Sequence, residues 1–445
     1  MAYRPVLFAA QSSVHASELR SSPERLVNMF PEQSTTEEQP VLLRSVPGRT
    51  KIITGENNPV RAMLDAGSVI YYAANAKLWS FNGTTATNLG TIADDAATTI
   101  ARNPDEVAVV AGGNYYLYDG STVSQITGTA FASFGSVDFM DGFFTFTEKD
   151  GIRHAISALN DGTSLNALDF ASAEYRPDKL IRGFVDHSEW WLFGETTIEV
   201  WSNQGLLDYP FERVPGAQME RGCLQTNTVA KLDNTVFWVG NDRIVYRAFQ
   251  YTPQRISEHH VEASIRAATT LSAFVYEYDG HKFYVLRIND RPAWLYDAAT
   301  GLWHERASGS NFDSWDVTAT ARLGSVWYAG DKDGHISKID RVFQENGSLL
   351  LRTAQSKNLW LAGSRFTVNR ANIDLKVGAN SSVMFSYSND RGRTWGSEQI
   401  ISVTAGGDLD QQVSFYGLGQ TRNFAARLRM SDNVDFSISG AGIDV

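Results

Sequence analysis

The sequence predicts an all-β protein: a β-propeller of six or seven blades, with an extended N-terminal arm and a C-terminal β-sandwich. Short strand-like runs alternate with turn signals from residue 51 onwards, and no convincing amphipathic helix interrupts them for about 200 residues. The composition favours the same class. The 445 residues include 11 Trp, 17 Tyr and 24 Phe beside 36 Gly, which suits many short strands joined by tight turns.

Residues 1–50 are predicted to form an extended arm. The stretch 31–40 is polar and acidic and cannot build a core, and apolar anchor points such as Leu26 and Phe30 are few. One strand follows and ends in the turn Pro47-Gly48. We interpret this arm as a clasp onto a neighbouring subunit, so removal of residues 1–50 is expected to spare folding and block assembly.

A repeating unit fills residues 51–350. In this unit, a strand of the type Val-x-Tyr/Trp is followed by a small-residue turn, a second aromatic strand and then Asp-Gly or Asn-Gly, and the copies diverge from it. Corresponding strands lie roughly 40 to 45 residues apart, which is the repeat length of four-stranded propeller blades. A radial arrangement also protects the exposed sheet edges. A large β-sandwich, or several small ones, is the alternative. The copies are 68–83, 107–120, 143–146, 190–201, 236–246, 283–297 and 326–339.

Residues 351–445 are predicted to form a compact β-sandwich. Runs such as 371–377 and 424–430 alternate apolar and polar residues, which indicates strands with one buried and one wet face. Charge changes at the same place: 351–445 carry ten Lys/Arg and eight Asp/Glu, whereas the first 350 residues carry 29 and 42. This change in charge predicts a domain boundary near residue 350. Within the propeller, 256–269 is predicted to contain a short helix between blades.

Overall charge and cysteine content exclude several classes of protein. The net charge is −11 and the pI about 5.3, whereas a protein that grips DNA phosphates carries a basic face. The single cysteine, Cys223, excludes an intrachain disulfide and fits a protein made in a reducing compartment. The N-terminus lacks the apolar run of a signal peptide, and no stretch is long enough to span a membrane. We therefore expect a soluble protein without membrane insertion.

The best-defined motif is an Asp-box, with the pattern S-x-D-x-G-x-T-W. The Asp side chain caps a tight hairpin, Gly allows the turn and Trp packs beneath it. We interpret the motif as a structural turn, although it is also known from sialidases. Its residues are Ser388, Asp390, Gly392, Thr394 and Trp395.

Motifs that would carry chemistry are weak. Asp331-Lys332-Asp333-Gly334-His335 resembles the start of a calcium loop, but Val342 stands where the loop needs an acidic ligand, so a hairpin turn is expected. His259-His260 lacks metal-ligand spacing, and Cys223 has no clear partner as a nucleophile. We predict no catalytic residue, no metal and no cofactor.

Two features would suit a protein that acts on sugars. The carboxylate pairs Asp94-Asp95 and Glu37-Glu38 are of the type used in glycoside hydrolysis, but they lie in loop-like segments and are interpreted as solvated. Trp190-Trp191 has the aromatic surface of a sugar-stacking platform, but aromatic residues in a blade are interpreted as core. A carbohydrate-binding or glycan-hydrolysing propeller remains the alternative function.

Three segments together resemble the packaged-DNA stabilisation proteins of short-tailed bacteriophages, also described as tail accessory, hub or nozzle proteins. They occur in the order found in that family. The first segment, the candidate assembly arm, contains Leu26, Asn28, Phe30, Leu43, Arg44, Pro47 and Gly48. The second, in the propeller, contains Gly194, Thr197, Glu199, Trp201 and Gly222. The third runs from 383 through the Asp-box at 395, with closing strands to Ile443.

The resemblance implies a structural virion protein without catalytic activity. Members are expected to form a six-membered ring below the portal and its adaptor, to extend and plug the tail channel after packaging, and to retain DNA without binding it specifically. They are also expected to provide docking surfaces for the tail needle and tailspikes. The protein would be made in the host cytoplasm and reside in the virion tail.

Overall fold

The structure is a computed structural model that describes residues 3–6, 12–14, 22–33, 41–127, 131–166, 170–173, 175–176, 178–207, 209–407 and 410–445. Nearly all regular structure in these residues is β-strand. None of the helices found there has the length and apolar character needed to cross a membrane.

Five strands precede the first blade. Only β3 and β4 pair with each other, as an antiparallel hairpin, because the others find their partners hundreds of residues later. The five are β1 (Tyr3–Pro5), β2 (Arg25–Val27), β3 (Met29–Gln33), β4 (Val41–Ser45) and β5 (Gly48–Ile53).

Five blades follow, each an antiparallel sheet of four consecutive strands. Blade one is β6 (Val60–Asp65), β7 (Ile70–Ala74), β8 (Lys77–Phe81) and β9 (Ala86–Thr91). Blade two is β10 (Thr99–Arg102), β11 (Val107–Ala111), β12 (Asn114–Tyr118) and β13 (Val123–Ile126). Blade three is β14 (Phe134–Met140), β15 (Phe143–Glu148), β16 (Arg153–Ile156) and β17 (Phe170–Ser172). Blade four is β18 (Leu180–Asp186), β19 (Glu189–Gly194), β20 (Ile198–Asn203) and β21 (Phe211–Arg213). After a 3-10 turn (Thr226–Thr228), blade five is β22 (Ala230–Leu232), β23 (Thr235–Val239), β24 (Val245–Phe249) and β25 (Thr252–Arg255).

A single α-helix in the described residues, α1 (His259–Arg266), separates blades five and six. Val261 and Ile265, four residues apart, are fully buried on one face, and His259 is exposed on the other. This helix lies inside the segment 256–269, so the prediction of a short helix between blades is confirmed.

The last two blades complete the propeller. Blade six is β26 (Leu271–Tyr278), β27 (His281–Ile288), β28 (Ala293–Asp297) and β29 (Leu302–Ser308), with the short β30 (Asp313–Ser314) beside it. Blade seven is β31 (Val317–Leu323), β32 (Val326–Asp331) and β33 (Ile336–Asp340), and its fourth strand is β5 from the N-terminus. The described residues therefore form seven blades, and pairing of Thr50 with Lys338 ties the first part of the propeller to its last blade.

Hydrogen bonds between the first strands of neighbouring blades fasten the ring. The hydroxyl of Thr99 accepts from the amide of Val137 at 2.9 Å, and the hydroxyl of Ser136 accepts from Gly183 at 2.9 Å. At the closing seam, the Thr318 hydroxyl donates to the Val60 carbonyl at 2.7 Å. The first strand of each blade therefore lies nearest the propeller axis.

Two short strands, β34 (Gln344–Glu345) and β35 (Ser348–Leu349), extend the sheet of blade seven beyond β5. The remaining strands lie in the C-terminal domain. They are β36 (Arg352–Gln355), β37 (Leu359–Trp360), β38 (Phe366–Thr367), β39 (Arg370–Val377), β40 (Ser381–Ser388), β41 (Gln399–Val403), β42 (Gln411–Tyr416), β43 (Gln420–Thr421), β44 (Asn423–Met430) and β45 (Phe436–Asp444). One sheet has the order β3-β4-β45-β39-β42, and β1 also pairs with β45. The facing sheet, β2-β36-β44-β40-β41, continues through a parallel pair of β2 and β29 into blade six. Propeller and sandwich thus share one eleven-stranded sheet.

The cores are aromatic, as expected for blades. Trp190, Trp238 and Trp303 are fully buried between strands, and Trp191 is only 4% exposed. Trp190 packs edge-on against Phe211 with ring centroids 5.8 Å apart. The interpretation of Trp190-Trp191 as core is therefore confirmed, and neither ring is available to stack on a sugar.

The N-terminal segment differs from the predicted extended arm. Its strands β2, β3 and β4 lie in the two sheets of the sandwich, and β5 completes blade seven, so residues 25–53 are part of the chain's own folded core. β2, β4 and β5 are each paired on both sides, so they are not available to clasp a neighbour. Sequence pattern alone did not reveal this, because the partner strands lie about 280 to 400 residues away.

Candidate assembly surfaces

Asn28 joins the N-terminal segment, the propeller and the sandwich. Its side-chain amide donates to the carbonyls of Ala307 (3.0 Å) and Leu351 (2.9 Å), and its carbonyl oxygen accepts from the Ala307 amide (3.0 Å). The residue is fully buried and its φ is +56°, a left-handed conformation that Asn tolerates better than most residues. Asn28 therefore fixes three parts of one chain, where the sequence interpretation placed it in contact with a neighbour.

The other residues of the candidate assembly arm also lie within the chain. Leu26 and Phe30 are fully buried and Leu43 is 3% exposed. Arg44 forms ion pairs with Glu32 of β3 and Asp279 of blade six. The pair with Asp279 joins the sandwich to the propeller.

Pro47 and Gly48 sit where the chain passes from the sandwich into blade seven. The carbonyl of Pro47 accepts from the Arg306 guanidinium at 2.6 Å. A Cβ atom on Gly48 would lie 2.2 Å from the carbonyl oxygen of Gln344, so only glycine fits this crossing. Both residues serve the junction between domains.

A buried charge network, missed by the sequence analysis, lies beside this crossing. The Glu345 carboxylate pairs with both Arg49 and Arg306, and Arg49 also lies 3.4 Å from Asp331. Burial by itself raises the pKa of Glu345, but the two guanidinium groups outweigh it and hold that pKa below its usual value. All four groups are at most 5% exposed, so removing one partner would strand a buried charge.

The Asp-box forms the hairpin turn that its sequence predicts. Asp390 accepts from the amide of Thr394 at 2.9 Å, and the Ser388 hydroxyl accepts from the amide of Gly392 at 2.8 Å. Hydrogen bonds from Thr394 and Ser388 lower the pKa of Asp390 to about 2. Gly392 has φ +79°, and a Cβ there would lie 2.4 Å from the Pro23 side chain. Trp395 is only half-buried and stacks on the Arg427 guanidinium, 4.6 Å from the ring centroid.

The family-like propeller segment shapes the connection between blades four and five. A Cβ on Gly222 would lie 2.2 Å from the Glu195 carbonyl, and one on Gly194 would lie 2.8 Å from the Asp178 carboxylate. That carboxylate accepts from the amide of Thr197 at 2.9 Å.

Glu199, buried in the same segment, is held by two donors. Its carboxylate accepts from the Tyr175 amide (2.6 Å) and the Trp201 indole (3.1 Å). The residues that carried the resemblance therefore have structural roles in this blade.

A hydrogen bond crosses the bore of the propeller. Asn227, in the turn before blade five, donates a hydrogen bond to the carbonyl of Ala96, in the loop before blade two. Since these two blades lie across the ring from each other, the bond spans the axis above a cavity of about 650 Å³. With this bond in place, the bore leaves no passage for a DNA duplex.

The weaker motifs take part in turns. Asp331 accepts from the amides of Asp333 (3.0 Å) and His335 (2.9 Å), which gives the expected hairpin between β32 and β33. Asp95 accepts from the Gly112 amide at 3.0 Å, and Asp94 pairs with Arg61. Glu37 and Glu38 lie outside the described residues.

Cys223 and His260 are held by contacts within the fold. Burial raises the pKa of the Cys223 thiol to about 11, so it is protonated at neutral pH. His260 pairs with Glu258 at 3.1 Å, beside the N-terminal end of α1. In the part of the chain that the structure describes, no three His, Cys, Asp or Glu side chains are placed to hold a metal ion.

A groove opens where the Asp-box hairpin faces the propeller, and we call it the hairpin groove. It has a volume of about 1210 Å³ and lies between the hairpin, the N-terminal segment at 22–25 and the loop that carries Phe312. Sequence analysis did not single out its cations, since they lie in three separate stretches. The charged residues that line it are Arg25, Lys357, Arg391, Arg393, Arg427, Glu24 and Glu258.

Comparison with known proteins gives consistent family matches. The model for the bacteriophage P22 Gp10 β-propeller matches residues 16–343, and that for the P22 Gp10 β-sandwich matches residues 352–445. No curated protein sequence matches the chain.

Solved structures resemble the chain only distantly. The computationally designed Ika8 protein is 16% identical, with 74% of this chain and 99% of that chain covered at a TM-score of 0.41. The WD40 propeller domain of Doa1 is 13% identical, with coverage of 65% and 96% and a TM-score of 0.42. PorZ of Porphyromonas gingivalis is 11% identical, with coverage of 79% and 46% and a TM-score of 0.40.

The two family models account for the propeller, the sandwich and their order along the chain, and together they span almost all of it. The chain therefore belongs to the family of bacteriophage P22 Gp10, structural phage proteins of packaged-DNA stabilisation.

Proposed function

We propose that this protein is a non-catalytic component of a short phage tail that extends and plugs the channel below the portal and its adaptor, and so retains the packaged DNA. The observation that carries the proposal is the match of both domains to Gp10 of phage P22. The proposed assembly is a ring, six-membered as the resemblance implies. Its proposed partners are the adaptor above, and the tail needle and tailspikes that dock on its surfaces.

The closed bore supports a role in a multi-chain channel. Since the bond between Asn227 and Ala96 spans the axis of the propeller, a single chain offers no passage for a duplex. A channel has to be formed between copies, with each propeller as part of the wall. The shared sheet and the Glu345 network hold propeller and sandwich together, as such a wall requires.

The charge supports retention without tight binding. At a net charge of −11, the protein as a whole repels phosphates, so DNA held behind it can later slide out. A carbohydrate-active propeller would instead present aromatic rings and carboxylates in an open funnel. Here Trp190 and Trp191 are buried.

Reconstitution tests this proposal. Purified full-length protein is added to DNA-filled phage heads that carry portal and adaptor but lack this protein, and the tails are imaged by electron microscopy. We expect a ring of new density below the adaptor, absent from control heads without adaptor. Protein that ignores adaptor-bearing heads, yet binds the glycans of host cells, would refute the proposal in favour of receptor binding.

A further inference from the structure

The hairpin groove has more cationic side chains than the neighbouring carboxylates neutralise. Five cationic side chains line it against the two acidic residues Glu24 and Glu258. Arg25 is paired with Glu305, and Arg427 stacks on Trp395. Arg391 and Arg393, which flank Gly392 in the turn, are exposed, and neither has a carboxylate partner among the described residues. The Arg391 guanidinium donates one hydrogen bond, to the side-chain carbonyl of Asn423 at 3.2 Å, so the Asp-box presents two exposed guanidinium groups that no carboxylate of the described residues neutralises.

An exposed aromatic ring adds to this surface. Trp360 lies at the edge of the groove with 56% of its surface exposed, although tryptophan side chains are largely buried in most folded proteins. Arginine and tryptophan are enriched in protein interfaces and dominate their energetics. The groove therefore has the composition of a protein-docking surface.

Negative charge is concentrated on the opposite side of the same molecule. Residues 92–173, which contain blades two and three, carry eleven Asp/Glu and only three Lys/Arg. In this ring of seven, blades two and three lie opposite blade six, whose sheet continues into the sandwich. Three exposed carboxylates lie in turns on one face of these blades: Asp105 between β10 and β11, Asp119 between β12 and β13, and Asp141 between β14 and β15.

We infer that the hairpin groove of one copy docks on the acidic turns of blades two and three of the next copy, with Arg391 and Arg393 facing Asp105 and Asp141. Two different and complementary patches at opposite ends of a molecule make a heterologous contact, which closes into a ring when the rotation between copies is right. Opposite charge across such a contact selects the partner and its register. This inference rests on the proposed ring and names the surfaces that form it.

Charge favours a second copy over nucleic acid as the occupant. A duplex entering the groove would meet a molecule of net charge −11, whose acidic blades repel phosphates. A second copy brings those acidic blades as its binding surface. The same charge asymmetry that weakens DNA binding therefore strengthens head-to-tail association.

Sedimentation velocity of the purified full-length protein tests the inference. The variants are R391E/R393E, D105K/D141K, and the control R365E, which changes an exposed arginine of the sandwich outside the groove.

We expect wild-type self-association that weakens as salt screens the charges. Each double variant should associate at least ~10-fold more weakly, a loss equivalent to about 1.4 kcal/mol, while R365E should match the wild type. An equimolar mixture of the two double variants should regain association, because each supplies one reversed patch. Circular dichroism confirms folding, and the milder pair R391Q/R393Q replaces any variant that fails to fold.

The outcomes separate this inference from the proposed function. Self-association that is unchanged in both double variants would overturn the assignment of these surfaces and leave the ring intact. A wild-type chain that stays monomeric at all concentrations, or one whose groove binds a short DNA duplex instead, would also overturn it. Neither result bears on DNA retention, which is measured in phage heads.

Discussion

Substitution of Asn28 by alanine tests whether the N-terminal segment is part of the folded core. The change removes two hydrogen bonds to carbonyl oxygens and leaves the buried Ala307 amide without a partner. A stranded buried donor costs about 1 to 3 kcal/mol, and each of the other bonds about 1 kcal/mol. Alanine at φ +56° adds roughly 1 to 2 kcal/mol of backbone strain. We therefore expect the free energy of unfolding to fall by about 5 kcal/mol.

The assay is guanidinium unfolding followed by tryptophan fluorescence. Asn57→Ala is the matched control, because Asn57 has a similar φ of +59° but is exposed and its side chain makes no hydrogen bond within the described structure. The free energy of unfolding of Asn57→Ala should fall only by the cost of backbone strain, about 1 to 2 kcal/mol. Equal losses for the two variants would refute the reasoning, since the side chain of Asn28 would then hold nothing together.

Three further predictions address the turn, the groove and the N-terminus. Asp390→Ala should lower the stability of the sandwich by about 1 to 2 kcal/mol, while its exposed neighbour Asn389→Ala should have no effect; thermal unfolding checks both. Because the folded pKa of Asp390 is about 2, below its ordinary 3.8, this stabilisation is present above pH 3.8 and is lost as pH falls towards 2, a loss that the alanine variant should not show. Burial raises the pKa of Glu24 from 4.5 to about 7, so its contribution is full below pH 4.5 and is lost as pH rises through 7. Glu24→Gln should therefore gain stability relative to wild type at pH 8 and not at pH 4, and an identical pH profile would contradict this. Removal of residues 1–50 should leave a chain that trypsin digests rapidly, because it loses β2 to β4 and half of β5; a protease-resistant truncated propeller would restore the idea of a detachable arm.

Blades could be predicted from the sequence because their signals are local. A run such as 68–83 contains two strands and the turn that joins them, and the structure pairs Tyr72 with Trp79 within it. The helix α1 was equally predictable, since Val261 and Ile265 recur at helical spacing. The Asp-box turn follows from side chains within eight residues of each other.

The N-terminal segment could not be placed because its partners are remote. Nothing near Thr50 indicates that it pairs with Lys338, or that Arg25 pairs with Gln355. A short run of apolar residues between polar ones is typical both of an arm and of a strand inserted into a distant sheet. The wrong interpretation as an arm came from that ambiguity.

Buried charges and composite surfaces also escaped prediction. Arg49, Arg306 and Glu345 are ordinary charged residues in the sequence, and only the fold shows that they are buried together. The hairpin groove combines residues from 22–25, 355–360 and 391–427. In contrast, the resemblance to the phage family already included Asn28 and Gly222. Their structural roles became clear only from the hydrogen bonds of Asn28 and the close packing of Gly222 against Glu195.

DNA retention in heads that lack this protein tests the central claim most directly. An early stop codon is placed in its gene, and the packaged DNA is measured by electron microscopy and nuclease protection. We predict heads that fill and then leak, and that hold their DNA when purified wild-type protein is added. Heads that stay full and sealed without the protein, but fail to infect, would contradict the account and move its role to the outside of the tail.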